Sequence, residues 1–321
     1  MELGSARELK AKVLSGLTGP VRASAQAEPT TVAIGVLPRP RGFGLAVRVS
    51  SADALQMPSL EDVVTRWHAE TDVRVVGRVR AATVAGSGRT VAAATAAGRR
   101  DRPMRPGTSV AHPDVTAGTL GAFVRDADGR VLLLSNNHVL ADTDRAAVGD
   151  PVLSPGPADG GRPDTDRVAT LTSFERLSAD GNRLDLALAA VDDPALVGGN
   201  SVPEGTLAGV VEEVLDGVEV AKVGRTTGHT VGEITAVELD GVTVDYGRGD
   251  VFSFDDCVEV EGDGRSFSDG GDSGSLVYVR DGLQVVGLLF AGSTTGGDGG
   301  TGLTYCNPAA VALRTAAVTL L

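Results

Sequence analysis

Gly271-Asp272-Ser273-Gly274-Ser275, followed by the apolar run Leu276-Val277-Tyr278-Val279, is the stretch on which the reading of this 321-residue chain turns. A serine between glycines, ahead of an apolar run, describes a hydroxyl on a tight turn that leads into a strand. Such a turn exposes a nucleophile. The glycines leave room for a backbone to approach, and the N–H groups of Gly271 and Ser273 can converge on an oxygen that gains negative charge. Gly, Asp and Ser are also ordinary turn chemistry, and the chain holds 43 glycines, so the string needs partners before it counts.

A nucleophilic serine needs a base, and the base needs an acid to orient it. Only four histidines are present, His68, His112, His138 and His229. Val131-Leu132-Leu133-Leu134-Ser135 reads as a short buried strand, and Asn136-Asn137-His138 follows it, which puts an imidazole at a strand end. Leu184-Asp185-Leu186-Ala187-Leu188-Ala189 places one carboxylate inside an apolar strand. Desolvation penalises the charged form of such an acid, and a histidine N–H is a suitable partner. His112 lies in a His-Pro turn, His229 in a Gly-Thr hairpin and His68 at a helix end, and each has a simpler account there. Taken singly, His138 reads as a strand-end polar residue, Asp185 as a buried acceptor and Ser273 as a turn. Their joint pattern favours catalysis.

In the order His138, Asp185, Ser273, the chain resembles the chymotrypsin-fold, trypsin-like serine peptidases, whose triad follows that order while other triad folds use different ones. Lys222-Val223-Gly224-Arg225-Thr226-Thr227-Gly228-His229-Thr230-Val231-Gly232-Glu233-Ile234 resembles a strand pair of the bacterial members, and Val286 to Gly292 resembles the strand that lines their specificity pocket. The likeness covers about Pro106 to Leu321. Ser135 to Ala141, the Lys222 stretch and the Gly271 stretch, with a small N-terminal module, resemble more narrowly the bacterial relatives of the plant Narrow Leaf 1 family. The resemblance implies a mainly β fold of two six-stranded antiparallel β-barrels, with His138 and Asp185 from the first, Ser273 from the second and the cleft between them. It implies that Asp272 helps hold the nucleophile's loop. In secreted members an aspartate here often pairs with a newly released N-terminus, and no processed start is evident ahead of Gly118, so another partner is needed.

The remaining sequence fills in the organisation. Residues 1–80 read as a small α+β domain in the order helix, strand, strand, helix, strand, with antiparallel pairing. Ser5-Ala6-Arg7-Glu8 has the capping-box pattern for a helix bearing Leu9, Val13 and Leu17, and Pro58 opens another that carries Leu60, Val63, Val64 and Trp67. Residues 81–108, rich in Ala, Gly, Arg, Thr and Pro, read as a linker or strap, and the arginines of Arg99 to Arg105 as its solvated face. Residues 109–321 are the peptidase-like domain. Asp128-Gly129, Asp240-Gly241 and Asp281-Gly282 read as hairpin turns, and Asn307 and Pro308 as the start of a last helix over Ala309 to Thr319.

Composition narrows the function classes. A net charge of −13 argues against nucleic-acid and anionic-membrane surfaces, and no apolar run is long enough to span a membrane. The N-terminus alternates charged and apolar residues unlike a signal peptide, so a cytoplasmic protein is expected. Cys257 and Cys306 fit buried free thiols in a reducing compartment, with a disulfide between them left open. No cofactor is expected, and no pair of His or Cys has metal-ligand spacing.

The expected activity is peptide-bond hydrolysis by a serine endopeptidase, with Ser273 as nucleophile, His138 as base, Asp185 as its orienting acid, and the N–H groups of Gly271 and Ser273 as oxyanion donors. By the resemblance, Phe267 lies at the pocket floor, and Phe290, Ala291 and Gly292 border the pocket. No aspartate stands at the floor, which favours a small or medium apolar substrate side chain. The partner is a protein or peptide substrate. The N-terminal module is open to a docking or oligomerisation role. Two alternatives stand beside the peptidase, a latent or inactive scaffold that binds peptides and needs an activator, and an esterase sharing the acyl chemistry.

Overall fold

Apolar alternation, interrupted by Gly and Asp turns, makes most of this chain strand. The computed structural model describes residues 1–17, 31–81, 102–213 and 217–321. Helix α1 (Leu3–Gly16) is followed by β1 (Val32–Pro38), β2 (Phe43–Val49), α2 (Pro58–Arg66), β3 (Thr71–Val75) and β4 (Val79–Ala81). Two short strands come next, β5 (Ser109–Val110) and β6 (Gly118–Thr119). The first large sheet draws on β7 (Ala122–Arg125), β8 (Val131–Ser135), the single-turn helix α3 (Asn137–Leu140), β9 (Pro151–Leu153), β10 (Arg167–Phe174) and β11 (Ala187–Val191). A small hairpin, β12 (Ser201–Val202) and β13 (Gly205–Thr206), leads to the second half. That half holds β14 (Glu219–Gly224), β15 (Gly228–Asp240), β16 (Val242–Gly247), β17 (Asp250–Phe254), β18 (Cys257–Gly262), β19 (Leu276–Val279), β20 (Val285–Gly296) and β21 (Gly302–Pro308). Helix α4 (Ala309–Thr315) and β22 (Thr319–Leu320) end the chain.

The second half closes on itself. β14 pairs β15, β15 pairs β18, β18 pairs β21, β21 pairs β20, β20 pairs β19 and β19 returns to β14, every pair antiparallel. A ring of six strands leaves no edge unpaired around the barrel. Its interior holds Val220, Ile234, Val260, Phe267, Val277 and Leu289. The first half is a six-stranded antiparallel sheet in the order β22-β7-β8-β11-β10-β9, packed around Phe123, Leu133, Val139, Leu140 and Leu171. Its outermost strand β22 comes from beyond α4, so the chain's last residues cross back to seal the first half. The expected mainly β class, with six strands in each half and a small part with helices ahead of them, is what the structure holds.

The N-terminal elements appear in the expected order but are built onto the second barrel. β1 pairs β15, and β4 lies between β16 and β20. β2 and β3 run parallel, where antiparallel pairing was expected, because α2 carries the chain back to the starting edge as a crossover. Arg48 of β2 and Glu259 of β18, both fully buried, form a bidentate pair at 2.8 Å. Residues 82–101, most of the stretch read as linker, lie outside the described residues.

Several local expectations need correction. Helix α1 starts at Leu3 with no side-chain cap, and its buried residues are Ala6, Lys10 and Val13. Trp67 closes α2 and is 41% exposed, while Leu60 and Val63 are buried. Asp128-Gly129 and Asp281-Gly282 do join paired strands. Asp240-Gly241 does not, since Gly241 turns at φ 88° and donates to Phe254, and β16 pairs β17 and β4 instead. Helix α4 ends at Thr315, with Pro308 as its N-cap; Asn307 remains in β21, its side chain used elsewhere.

Both cysteines are buried and unpaired. Val258 faces Cys306 across β18 and β21, so Cys257, one residue along, points to the other face of the sheet. The two thiols cannot meet without one strand shifting register. Burial pushes both thiols upward, and it also pushes up the phenols of Tyr246 and Tyr305. These four groups therefore keep protons in the folded chain that the unfolded chain releases above its ordinary thiol and phenol pKa values. Stability is fully present below about pH 8.5 and falls as the pH rises, by up to about 1.4 kcal/mol per pH unit for each group past its unfolded pKa. Urea midpoints between about pH 8 and pH 11 check this; the decline is expected to be shallower in a Cys257→Ala/Cys306→Ala variant.

Candidate active site

Strand β8 ends at Ser135, and the chain turns at once into α3, which fixes His138 against the start of β11. The His138 N–H donates to Asp185 Oδ1 at 3.2 Å, and Nδ1 lies 2.5 Å from Asp185 Oδ2. Both side chains are shielded from solvent. Asp185 is itself held by its backbone: its N–H donates to Asn307 Oδ1 at 2.8 Å, and its carbonyl accepts from Asn136 Nδ2 at 2.7 Å. With Nδ1 turned to the carboxylate, the hydrogen-bond network assigns Nδ1 the proton in the neutral ring and leaves Nε2 as an acceptor. Nε2 is buried and has no hydrogen-bond partner among the described residues.

A residue that the sequence reading did not single out completes the carboxylate's surroundings. Tyr246 donates its hydroxyl to Asp185 Oδ2 at 2.7 Å, and its ring meets the His138 imidazole edge-on at 5.4 Å. Burial and the adjacent Asp185 charge both hold the phenol's pKa well above its ordinary value, so it stays a donor. A signal was available: Val242, Val244 and Tyr246 alternate on the buried face of β16, and a buried phenol needs a hydrogen-bond partner.

The Ser273 loop sits against the first sheet. Thr119 of β6 donates its N–H to the Ser273 carbonyl and its hydroxyl to the Gly271 carbonyl, each at 2.8 Å, and Ser135 Oγ donates to the Thr119 carbonyl at 2.7 Å. Gly274 has φ 94°, and a Cβ there would stand 2.3 Å from the Thr119 carbonyl oxygen, so only glycine lets the two halves close here. Ser273 is fully buried. Its Oγ donates to the carbonyl of Phe290 at 3.3 Å and not to His138. Tilted and edge-on ring contacts run between the two side chains' surroundings: Phe290 to Phe254 at 4.6 Å, Phe254 to Tyr246 at 6.1 Å, and Tyr246 to His138. The N–H groups of Gly271 and Ser273 donate to no group among the described residues.

Asp272 has an internal partner set. Its Oδ1 accepts from the N–H groups of Thr226 and Thr227 at 2.8 and 3.1 Å, and Oδ2 from Thr227 Oγ1 at 2.7 Å, from the Asp269 N–H at 3.0 Å and from Lys222 Nζ at 3.1 Å. Lys222 and Asp272 are both fully buried. Burial pulls the Lys222 ammonium below its ordinary pKa, and the Asp272 charge opposes that. The Lys-Val-Gly-Arg-Thr-Thr stretch is thus the cradle of the Ser273 loop. Its Arg225 pairs with Asp159 at 2.5 and 2.8 Å and ties the cradle to a loop of the first half.

The residues expected at the pocket fall in two places. Phe267 is buried in the barrel core, 5.9 Å from Lys222 Nζ, and its carbonyl accepts from Thr230. Its ring supports the loop from beneath. Phe290, Ala291 and Gly292 follow one another on β20 beside Ser273, the first two fully buried. A cavity of about 680 Å³ lies elsewhere, lined by Leu207, Val210, Leu313, Val318 and Leu320 among others and by no residue of this site.

No protein-family model and no curated protein matches the sequence. Among solved structures, the chain is similar to Thermobifida fusca protease A, at 19% identity over 67% of this chain and 97% of that one, with a TM-score of 0.46. Nocardiopsis protease gives 19% identity over the same shares with a TM-score of 0.48. A serine protease described as specific for glutamic acid gives 20% identity over 68% of this chain and 100% of that one, with a TM-score of 0.49.

Proposed function

We propose that this chain is a serine peptidase of the trypsin-like kind, cutting peptide bonds internally through His138, Asp185 and Ser273. The observation that carries the reading is the buried His138–Asp185 pair, whose imidazole Nε2 has no partner among the described residues and so is available to a proton donor. Ser273 Oγ leaves the Phe290 carbonyl by a rotation about its side chain, gives its proton to Nε2 and attacks the scissile carbonyl. The oxygen that becomes negative takes the N–H groups of Gly271 and Ser273, each worth roughly 3 kcal/mol in the transition state. Nε2 then passes its proton to the leaving amine, and water repeats the sequence on the acyl-enzyme. Asp185 keeps the ring in the productive tautomer and stabilises the imidazolium. Similarity of motif alone supports the narrower kinship to bacterial relatives of the Narrow Leaf 1 family. Two thiols on opposite faces of one sheet suit the reducing, cytoplasmic setting that we assign to it.

A fluorophosphonate probe tests the reading. Purified protein is expected to be labelled at Ser273, with labelling abolished by Ser273→Ala and by His138→Ala; labelling that survives Ser273→Ala would sink it. Tyr246→Phe removes one hydrogen bond to a charged carboxylate, a contribution of about 1.5–3 kcal/mol, so kcat is expected to fall roughly 10- to 100-fold with KM little changed. An equal loss in KM would instead mean that the tyrosine serves substrate binding.

A second reading, the latent scaffold, is favoured by the full burial of Ser273 and the turn of its hydroxyl away from His138. The two are compatible if the site is closed in this state and opens for substrate.

A further inference from the structure

One edge of β20 carries β21 along nearly its whole length, from Gly287 to Gly296. The opposite edge is shared by three occupants in succession. β19 covers Val285 to Leu288. The nucleophile's loop covers the next two residues: Gly274 N–H donates to the Leu289 carbonyl at 2.9 Å, Leu289 N–H to the Ser275 carbonyl at 3.0 Å, and Ser273 Oγ to the Phe290 carbonyl at 3.3 Å. Strand β4 then takes Ala291, Gly292 and Ser293, antiparallel, opposite Ala81, Arg80 and Val79 respectively.

The stretch beyond Phe290 is the backbone edge that an extended peptide must use to bring a carbonyl to Ser273 by adding a strand to the sheet. β4 is already there, and its direction is that of such a peptide. It runs from Ser293 toward Phe290, so its C-terminal end points at the nucleophile. Val79 and Ala81 are buried with Val76, Phe290 and Leu303, while Arg80 between them is exposed. The strand is anchored on its N-terminal side, where Thr295 donates to the carbonyls of Val75 and Val76 at 3.1 and 3.2 Å.

We propose that Val79–Ala81 is an internal occupant of the peptide-docking edge of β20, and that the site takes extended peptides which displace it. Such peptides place small apolar side chains where Val79 and Ala81 lie and any side chain at Arg80. The consequence for catalysis rests on the serine peptidase reading; the occupancy does not. While β4 is seated, an incoming strand finds the edge filled. If the edge is free in about a tenth of molecules or fewer, apparent peptide affinity is about tenfold or more below that of an opened cleft.

The test separates the two claims. In a Ser273→Ala background, a fluorescein-labelled peptide of the sequence Val76 to Ala81 is titrated against the parent chain and against chains that also carry Arg80→Pro or Ala81→Glu. Proline cannot sit inside a sheet, and a glutamate cannot be buried where Ala81 is, so each unseats β4 from β20 and from β16 without replacing a triad residue. Affinity at least about tenfold tighter in either folded variant is expected, with fluorophosphonate labelling accelerated by a similar factor once Ser273 is restored. Equal affinity in parent and folded variants overturns the occupancy, whatever the labelling shows. Tighter peptide binding without any labelling leaves the occupancy standing and removes the peptidase. Hydrogen exchange on the unmutated chain gives an arm free of folding defects. Saturating peptide is expected to strip protection from the Arg80 and Ala81 amides, and unchanged protection overturns the proposal.

Discussion

Asp185→Asn is expected to lower kcat by about four orders of magnitude, or about 5.5 kcal/mol of transition-state stabilisation, in a chain that still folds. The carboxylate now accepts from the His138 backbone N–H, from Nδ1 and from Tyr246. An amide of the same shape still accepts on its oxygen, but its NH₂ faces Nδ1 as a donor. The imidazole must then carry its proton on Nε2, where it can no longer remove one from Ser273. Turnover of a peptide substrate, with thermal melting as the control for folding, measures this. A loss of less than tenfold would mean that His138 does not act as the base, and the mechanism above would go with it.

Arg48→Met is expected to cost about 3–5 kcal/mol of stability, because it leaves Glu259 charged and fully buried without its cation. Among the described residues Glu259 would keep the Thr235 hydroxyl alone, at 2.8 Å. Denaturant titration reads the loss directly. An Arg48→Met/Glu259→Met double variant is expected to recover most of it, since paired apolar replacements remove both charges together. A double variant as unstable as the single one would show that packing around β2 matters more than the charges. The pair joins β2 to β18, so the N-terminal strands hold the barrel by a desolvated ion pair as well as by sheet pairing.

Much of the candidate site was legible in the sequence because the proposed chemistry constrains residue types strongly. His138 stands at the end of an apolar run, Asp185 inside another and Ser273 between glycines, and the structure brings the first two into contact while turning the third toward Phe290. The class of fold was legible from alternation and turn residues. What escaped depends on contacts between residues far apart in the chain. Tyr246 and Asp185 are 61 residues apart, and Asn307 reaches Asp185 across 122. The Asn307-Pro308 pair reads locally as a helix start, and tertiary demand for an acceptor at the Asp185 N–H overrode that reading. Asp240-Gly241 failed as a hairpin signal for a related reason. The turn chemistry is right, but the strand after it finds better partners in β17 and β4 than in the strand before it. The pairing of β4 with β20 had no local signature at all, since Val79-Arg80-Ala81 is an ordinary extended tripeptide.

Lys222 lies in β14 and its partner Asp272 in the loop that follows β18, both within one closed barrel. The counter-charge for the loop beside Ser273 is therefore in place as soon as that barrel forms, and the loop's shape waits on no later covalent event. Control that is exerted through β4 is of a different kind from a cut. It can be undone, it depends on the concentration of competing peptide, and it returns the molecule to its starting state when that peptide leaves.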